Sequence, residues 1–283
     1  MKQFEDWVGQ SKPKYLYHYT NSEAFLSILK NKSLWASNIF FQNDTSEIIF
    51  SYDLLRTEMK ELENKYSELS ECNKLFQKIQ GIENIYKNED IYTVSFSTKK
   101  DNLGQFRGYG HGSLGFSIEF NINKLLDCLS QRSNIDLEEK NFNFILIKCI
   151  YDKEKQKNII REMIKEVLDR RLSNKENILI SILVRMILFA PIFKSDAFNE
   201  EDEWRLIIRN VNDKTNCKER IGKSYFIPYY NLIFLDQECF GDFIVGPSSE
   251  QEVIKYSVEK VCLNNGIDLI IRKVVLSNIP FRS

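Results

Sequence analysis

The chain has 283 residues, of which 43% are hydrophobic and 28% charged, a composition typical of a soluble globular protein. Lys and Arg (39) almost balance Asp and Glu (40). The net charge of -1 excludes a global basic field for nucleic acid, although it does not exclude a local basic groove. The length allows one large domain or a core with an appended subdomain.

The cysteines and the N-terminus bear on the cellular compartment. Six cysteines are scattered without a C-x-x-C pair, and their apolar neighbours predict mostly buried free thiols. The N-terminal sequence MKQFEDWVGQ lacks the apolar run of a signal peptide. Residues 178–193 are apolar, but Arg185 and a length below the roughly 20 residues of a membrane span predict a buried helix. We therefore expect a cytoplasmic protein with no membrane attachment.

A short strand followed by a capped helix is predicted near the N-terminus. Residues 15–20 alternate, which places the three tyrosines on one face and Leu16, His18 and Thr20 on the other. Thr20 to Glu23 form a capping-box pattern, so a helix is expected to start at Thr20. His18 thus stands at a strand end, either pointing into a cleft or serving as a hydrogen-bonded structural histidine.

Helical and strand patterns then follow one another. Residues 46–80 and 153–193 are helical in pattern, and the second segment is predicted to form two helices. A further helix is expected at 250–264. Strands are predicted at 34–37, 92–97, 113–120, 144–151, 203–209, 225–229, 243–245 and 267–276. In the strand over 92–97, Ser95 and Ser97 lie on the polar face. Strands outnumber those of a βαβ repeat, so the fold class is α+β.

Residues 101–112 hold four of the eleven glycines, together with Gln105, Arg107 and His111. This density of glycine predicts a loop whose backbone approaches another group closely. His111 either takes part in such a contact or is a solvated loop residue.

Four acids, residues 200–203, run directly into an apolar strand. Period-two geometry places Glu201, Glu203 and Arg205 on one face, and Trp204 with Leu206 on the other. If the second face meets the core, the two glutamates face outward side by side. The alternative is a solvated strand start, with Arg205 as no more than a strand-face partner of Glu203.

Several of these segments together resemble the bacterial domain-of-unknown-function 2971 family. The matching segments are His18-Tyr19-Thr20, Leu34–Ser37, Val94–Ser97, Gln105–Gly110, Glu201–Arg205, Ile244–Pro247 and Ser277–Arg282. They recur from near residue 15 to the C-terminus, so the resemblance covers nearly the whole chain. The helical segments at about 46–90 and 153–193 look like family-variable inserts.

That family is similar, more distantly, to the ADP-ribosyltransferase superfamily. The resemblance implies a single domain over residues 1–283 with a split antiparallel β core and helical inserts. The superfamily carries a first-strand His or Arg, a second-strand Ser or Tyr motif and a Glu at the start of a later strand. The corresponding positions here are His18, Ser95–Ser97 and Glu201–Glu203. The His resembles the diphtheria-toxin-like branch, and the Ser-x-Ser and Glu-x-Glu motifs resemble the cholera-toxin-like branch.

The resemblance implies NAD as substrate and no metal. Cleavage of the nicotinamide–ribose bond passes through an oxocarbenium-like state, which a carboxylate at the ribose hydroxyl stabilises. Glu203 would be that carboxylate, Glu201 would orient the acceptor or a water, and His18 would hydrogen-bond the ribose. Ser95 and Ser97 would shape the nicotinamide pocket or orient Glu203.

Further NAD contacts are expected around these residues. Arg107 would reach the pyrophosphate, assisted by backbone amides of the glycine-rich segment, with Gln105 beside it. Thr20 would bind the cofactor next to His18. Tyr19 and Tyr109 would stack on nicotinamide or adenine, or else pack in the core.

Three functions stay open from the sequence. The chain is an NAD-dependent ADP-ribosyltransferase that modifies a protein or nucleic acid, an NAD glycohydrolase, or a non-catalytic domain that binds nucleotide, nucleic acid or protein on the same fold. The resemblance also implies a toxin, effector or antiphage-defence role, with a neutralising or defence-system partner protein.

Overall fold

The computed structural model describes residues 11–41, 45–79, 90–110, 115–132, 144–170, 172, 174–209, 214–222 and 224–280. The chain divides into two compact units. In its described parts the first unit comprises residues 38–91 and 147–200, and the second comprises residues 11–37, 92–146 and 201–283. Both segments predicted as helical inserts fall within the first unit. The single-domain assignment over 1–283 stays a prediction.

The described strands and helices confirm most of the expected elements. The strands are β1 (Tyr15–Thr20), β2 (Ser33–Asn38), β3 (Tyr92–Ser97), β4 (Phe116–Asn121), β5 (Phe144–Lys148), β6 (Glu203–Ile208), β7 (Cys217–Ile221), β8 (Phe226–Ile233), β9 (Phe240–Val245) and β10 (Val274–Leu276). The helices are α1 (Ser22–Asn31), α2 (Thr45–Leu62), α3 (Glu68–Gln77), α4 (Leu103–Tyr109), α5 (Ile122–Arg132), α6 (Lys153–Leu168), α7 (Lys175–Phe189) and α8 (Gln251–Asn264).

The strands form one mainly antiparallel sheet, as expected of an α+β protein. Its order is β10-β9-β4-β1-β3-β2-β8-β7, with β6 paired to both β3 and β5. The pairing of β9 with β10 is parallel. No helix among the residues that the structure describes has both the length and the apolar run needed to cross a membrane.

The sheet forks at β3. Along one edge β3 pairs with β6 over its whole length, from Tyr92 opposite Ile208 to Ser97 opposite Glu203. Strand β3 has two other neighbours, β1 and β2. The pairing with β1 places Tyr17 opposite Ser97. Because a strand has only two edges, β1 and β2 share the second edge of β3 and separate from each other along it.

The two faces of the sheet differ in chemistry. The core face packs α1, α5 and α8 through a continuous apolar cluster to which every second residue of β3 and β6 contributes. The opposite face, here called the polar face, carries Ser95 and Ser97 of β3 and Glu203 and Arg205 of β6. A smaller apolar cluster on that side joins Phe106 of α4 to Tyr19 and Ile244. The sequence alternation therefore predicted both faces correctly.

The first unit consists mainly of helices. Helix α2 packs on α3 and α6, and α7 packs on α3 and α6. The carboxylate of Glu58 is fully buried and accepts a hydrogen bond from Arg161 Nε. A surface depression of about 340 Å³ also lies in this unit. It is lined by Glu47, Ile49, Phe50, Asp53, Ser195 and Phe198.

Two expected element boundaries were wrong in detail. The N-cap of α1 is Asn21, whose side chain accepts from Ala24 N, because Thr20 is still paired in β1. Of the strand expected over 267–276, only β10 is formed. The side chain of Asp268 accepts a hydrogen bond from Ile270 N and the carbonyl of Asp268 accepts one from Arg272 N, so the chain turns before β10. Ile270 is left 93% exposed.

The loop expected over 101–112 contains helix α4. Asn102 caps it by accepting from Gln105 N, and Phe106 is buried against Tyr19. Packing at Phe106 outweighs the poor helix propensity of Gly104 and Gly108. His111 lies outside the described residues.

Candidate functional site

Glu203 begins β6 as a buried, ion-paired carboxylate. Its Oε1 accepts from Arg205 Nε at 2.7 Å and its Oε2 accepts from Arg205 Nη2 at 3.1 Å. Both residues are only 4% exposed. The shared face of Glu203 and Arg205 was expected from the alternation, whereas outward exposure of Glu203 was not found. A bidentate guanidinium contact fixes both oxygens of the carboxylate.

A strained backbone turn separates Glu203 from Glu201. Glu201 ends a 3₁₀ turn, and Asp202 follows with φ of 45°, in the left-handed region. The side chain of Asp202 accepts a hydrogen bond from Thr98 Oγ1, and its carbonyl accepts from Thr98 N. Glu201 therefore does not continue β6, and the expectation that Glu201 and Glu203 lie side by side on one face of a strand was wrong.

The two serines of β3 lie beside this turn. Ser97 is opposite Glu203, and its hydroxyl donates to Glu201 O at 2.6 Å and accepts from Lys99 N at 3.1 Å. Ser95 is opposite Arg205 and is half-buried, so solvent reaches the polar face at this point. The structure thus brings Glu201, Glu203 and both serines together.

His18 stands where β1 leaves β3, directly after the paired residue Tyr17. Its Nδ1 lies 3.0 Å from Ser95 O, and its ring contacts Phe96 edge-on at 5.8 Å between centroids. Burial lowers the pKa of His18 below its usual value, which favours the neutral ring. A carbonyl can only accept, so Nδ1 carries the proton and Nε2 is left as an acceptor.

His18 and Glu203 occupy neighbouring regions of the sheet but not the same side-chain layer. Phe96 and Trp204 belong to the core face, so the ring of His18 leans towards that face. Glu203 is on the polar face with Ser97. The two residues are connected through β3, with His18 bonded to the backbone of Ser95 between them.

Tyr19 is a buried residue whose hydroxyl connects two backbone positions. It is 4% exposed, its hydroxyl donates to Lys99 O, and the same hydroxyl accepts from Asn102 N at 3.1 Å. Its ring meets Phe106 edge-on at 5.0 Å. Burial raises the pKa of Tyr19. Of the two alternatives for this side chain, core packing is the contact that the structure contains. Thr20, next along β1, is also buried and pairs with Phe116.

The remaining expected NAD contacts lie on α4 but on different sides of it. Gln105 is buried, whereas Arg107 is exposed and Tyr109 is 40% exposed. Residues two apart on a helix point about 200° apart, so Gln105 and Arg107 do not face one target together.

Two contacts beside the site carried no sequence signal. Tyr17 Oη donates to Glu119 Oε1 at 2.6 Å, and Glu119 Oε2 accepts from Asp242 N at 3.0 Å. Asp101, just before α4, accepts from Ser277 Oγ at 2.6 Å and from Asn278 N at 2.9 Å. The partners of Asp101 are more than 170 positions away, which is beyond the reach of spacing arguments. Within the described ranges, no three His, Cys, Asp or Glu side chains are grouped as a metal site.

Comparison with known proteins shows that one segment of this chain is similar to a known family. No curated protein and no solved structure is significantly similar to it. The family model described as "Protein of unknown function (DUF2971)" matches residues 105–206. The match covers about a third of the chain, from α4 to the middle of β6, and includes Glu201 and Glu203 but neither His18 nor the β3 serines. Over residues 105–206 the chain is therefore similar to the family of proteins of unknown function DUF2971, as its motifs predicted.

Proposed function

We propose that the chain is an NAD-dependent ADP-ribosyltransferase that modifies a macromolecule. The observation that carries the proposal is the buried carboxylate of Glu203, fixed by Arg205 and lying opposite Ser97 at the sheet fork. A carboxylate held before the reaction begins can stabilise the positive charge of an oxocarbenium-like state without reorganising. The ADP-ribosyltransferase-like fold is part of the same proposal.

In this reaction the bond between ribose C1′ and the nicotinamide nitrogen breaks, and its electron pair leaves with nicotinamide. A nucleophile of the acceptor bonds to C1′ and releases its proton to solvent. Glu203 would accept a ribose hydroxyl hydrogen bond that strengthens as charge develops. Ser97 would hold Glu201 and the Asp202 turn in place through its bond to Glu201 O.

The protonation state of His18 supports a contact with ribose. A neutral imidazole whose Nδ1–H bonds Ser95 O presents Nε2 as an acceptor, and a sugar hydroxyl is a donor that matches it. No described group bonds Nε2. For both residues to contact one ribose, the sugar would have to lie at the fork, where His18 approaches β3 from the core-face side and Glu203 from the polar face.

The test is incubation of purified protein with labelled NAD, with and without cell lysate. Transfer of label to a protein or nucleic acid supports the proposal. Release of nicotinamide and free ADP-ribose without lysate supports NAD hydrolysis instead. If NAD binds but no nicotinamide is released in either case, the chain is a non-catalytic domain and the proposal fails.

Glu203→Gln is the critical variant, and we expect nicotinamide release to fall by roughly 10²–10³-fold in kcat, as for loss of one transition-state contact. The substitution also breaks a buried ion pair, which costs about 3–5 kcal/mol of stability. Glu58→Gln is the matched control, because it breaks the buried pair with Arg161 in the first unit. A wild-type rate for folded Glu203→Gln would refute the role of this carboxylate.

A further inference from the structure

An aromatic pair lies on the polar face of the β2–β8–β7 part of the sheet. Trp35 of β2 stacks on Tyr229 of β8, with ring centroids 4.6 Å apart and an interplanar angle of 28°. Leu34 and Ala36 point to the core, so the pair belongs to the opposite side. Trp35 remains 39% exposed although it is one of the largest apolar side chains. A second planar ring can therefore stack on the indole.

In the adjoining strand β7, the basic side chains lie on one face and the acidic side chain lies on the other. Lys218 is opposite Tyr229 and Arg220 is opposite Ile227, so both cations lie on the face of the aromatic pair. Glu219, between them, is opposite Pro228 on the other face. Alternation thus concentrates positive charge next to the exposed indole and places the neighbouring acid elsewhere.

Arg220 is connected to the strand that carries Trp35. Its Nη2 donates to Ser37 Oγ at 3.3 Å, and Ser37 follows Trp35 by two residues on the same face, a separation of roughly 7 Å. No carboxylate of the described residues pairs with its guanidinium, and burial lowers its pKa. A half-buried guanidinium with unused donors is suited to an anion such as phosphate.

We propose that Trp35, Tyr229, Lys218 and Arg220 form a binding surface for a nucleobase and its adjacent phosphate. The base stacks on Trp35, the phosphate is bound by Arg220, and Lys218 adds positive charge at the exposed edge. The same chemistry occurs in a free nucleotide and in a single-stranded nucleic acid, in which bases stack on aromatic side chains beside cations. The surface is distinct from the contacts of Glu203 and does not depend on the proposed reaction.

The binding experiment uses the full chain with fluorescein-labelled (dT)₁₀, followed by fluorescence anisotropy, and AMP, followed by calorimetry. Binding of (dT)₁₀ alone identifies a strand as the source of the base, and binding of AMP alone identifies a free nucleotide. Either result supports the proposed binding surface, provided that the variants described next weaken binding. Absence of binding by both ligands overturns the proposal.

Trp35→Ala should weaken binding by roughly 5- to 150-fold, the range expected for loss of one stacked base. Arg220→Gln should weaken it and also reduce its salt dependence, because one phosphate contact is lost. The matched controls are Tyr256→Ala and Lys260→Gln, which remove an exposed aromatic residue and a cation 5.2 Å from it on α8. If the Trp35 and Arg220 variants bind as tightly as these controls, the surface is not the binding site.

Two further measurements distinguish loss of the binding surface from misfolding and from failure of the proposed reaction. Lys218→Gln changes an exposed side chain, so it tests the surface even if Trp35→Ala fails to fold. Nicotinamide release from NAD is measured on the same variants. Oligonucleotide or AMP binding without NAD turnover would leave this surface intact and refute only the proposed reaction.

Discussion

At the residue scale, Asp202 shows how the candidate site is shaped by backbone as much as by side chains. Its left-handed conformation ends the acidic 3₁₀ turn and starts β6 with Glu203. Thr98 holds it through both a side-chain and a backbone hydrogen bond. A short polar side chain tolerates this conformation better than a larger one does, and such turns are frequent where function constrains the backbone.

Replacement of Asp202 by Ala and by Gly separates these contributions. Both variants lose the side-chain contact with Thr98, but only Ala keeps a Cβ in the left-handed region. We expect Asp202→Ala to be less stable than Asp202→Gly by about 1 kcal/mol in urea-induced unfolding. Equal stability of the two variants would show that the positive φ carries no cost here.

His18 gives a prediction about pH. Burial lowers its folded-state pKa, so the unfolded chain binds the proton more readily than the folded one. The stability associated with neutral His18 is therefore complete above the unfolded pKa of about 6.5 and is lost as the pH falls below it. Between pH 7.5 and 5 the loss cannot exceed about 2 kcal/mol, from 1.36 kcal/mol per pH unit.

The measurement is the unfolding free energy of wild type and His18→Asn at both pH values. Asn keeps an N–H donor for Ser95 O but does not titrate, and the carboxylates titrate in both proteins. Between pH 7.5 and pH 5, the unfolding free energy of wild type should fall by more than that of His18→Asn. A difference that is the same at both pH values would contradict the lowered pKa.

At the element scale, α4 is fixed by the segments that carry the family resemblance. Its start is tied to the C-terminal segment through Asp101, which binds Ser277 and Asn278. Its buried residue Phe106 packs where Gly246 approaches Gly115, with Gly246 N donating to Gly115 O at 2.9 Å. The glycines of this region therefore serve close packing.

Two glycines provide a matched pair for this idea. A Cβ at Gly246 would lie 2.6 Å from Gly115 O and 2.9 Å from Phe106 Cδ1, whereas a Cβ at Gly108 would meet nothing within 4 Å. We expect Gly246→Ala to lower the unfolding free energy by about 1–3 kcal/mol through overpacking. Gly108→Ala, in the last turn of α4, should raise it by up to about 0.5–1 kcal/mol, because alanine has the higher helix propensity. Equal thermal midpoints for the two variants would show that Gly246 is not closely packed.

At the scale of the whole molecule, residues far apart in sequence meet on three neighbouring strands. His18 on β1, the β3 serines and Glu203 on β6 lie next to one another in the sheet. The family match begins at α4 and ends within β6, so it reaches only the Glu203 part of this group. Local alternation predicted the faces of β3 and β6, but it contained no information about their being neighbours.

The sequence by itself determined the α+β class, the long helices of the first unit and the separation of polar from apolar faces in β3 and β6. These features follow from periodicity, which is local in the chain. The tertiary structure decided that Glu203 is buried against Arg205, that α4 replaces a loop and that residues 267–276 mostly turn. Each of these depends on contacts between distant segments, such as Phe106 with Tyr19, whose packing overrides local propensity.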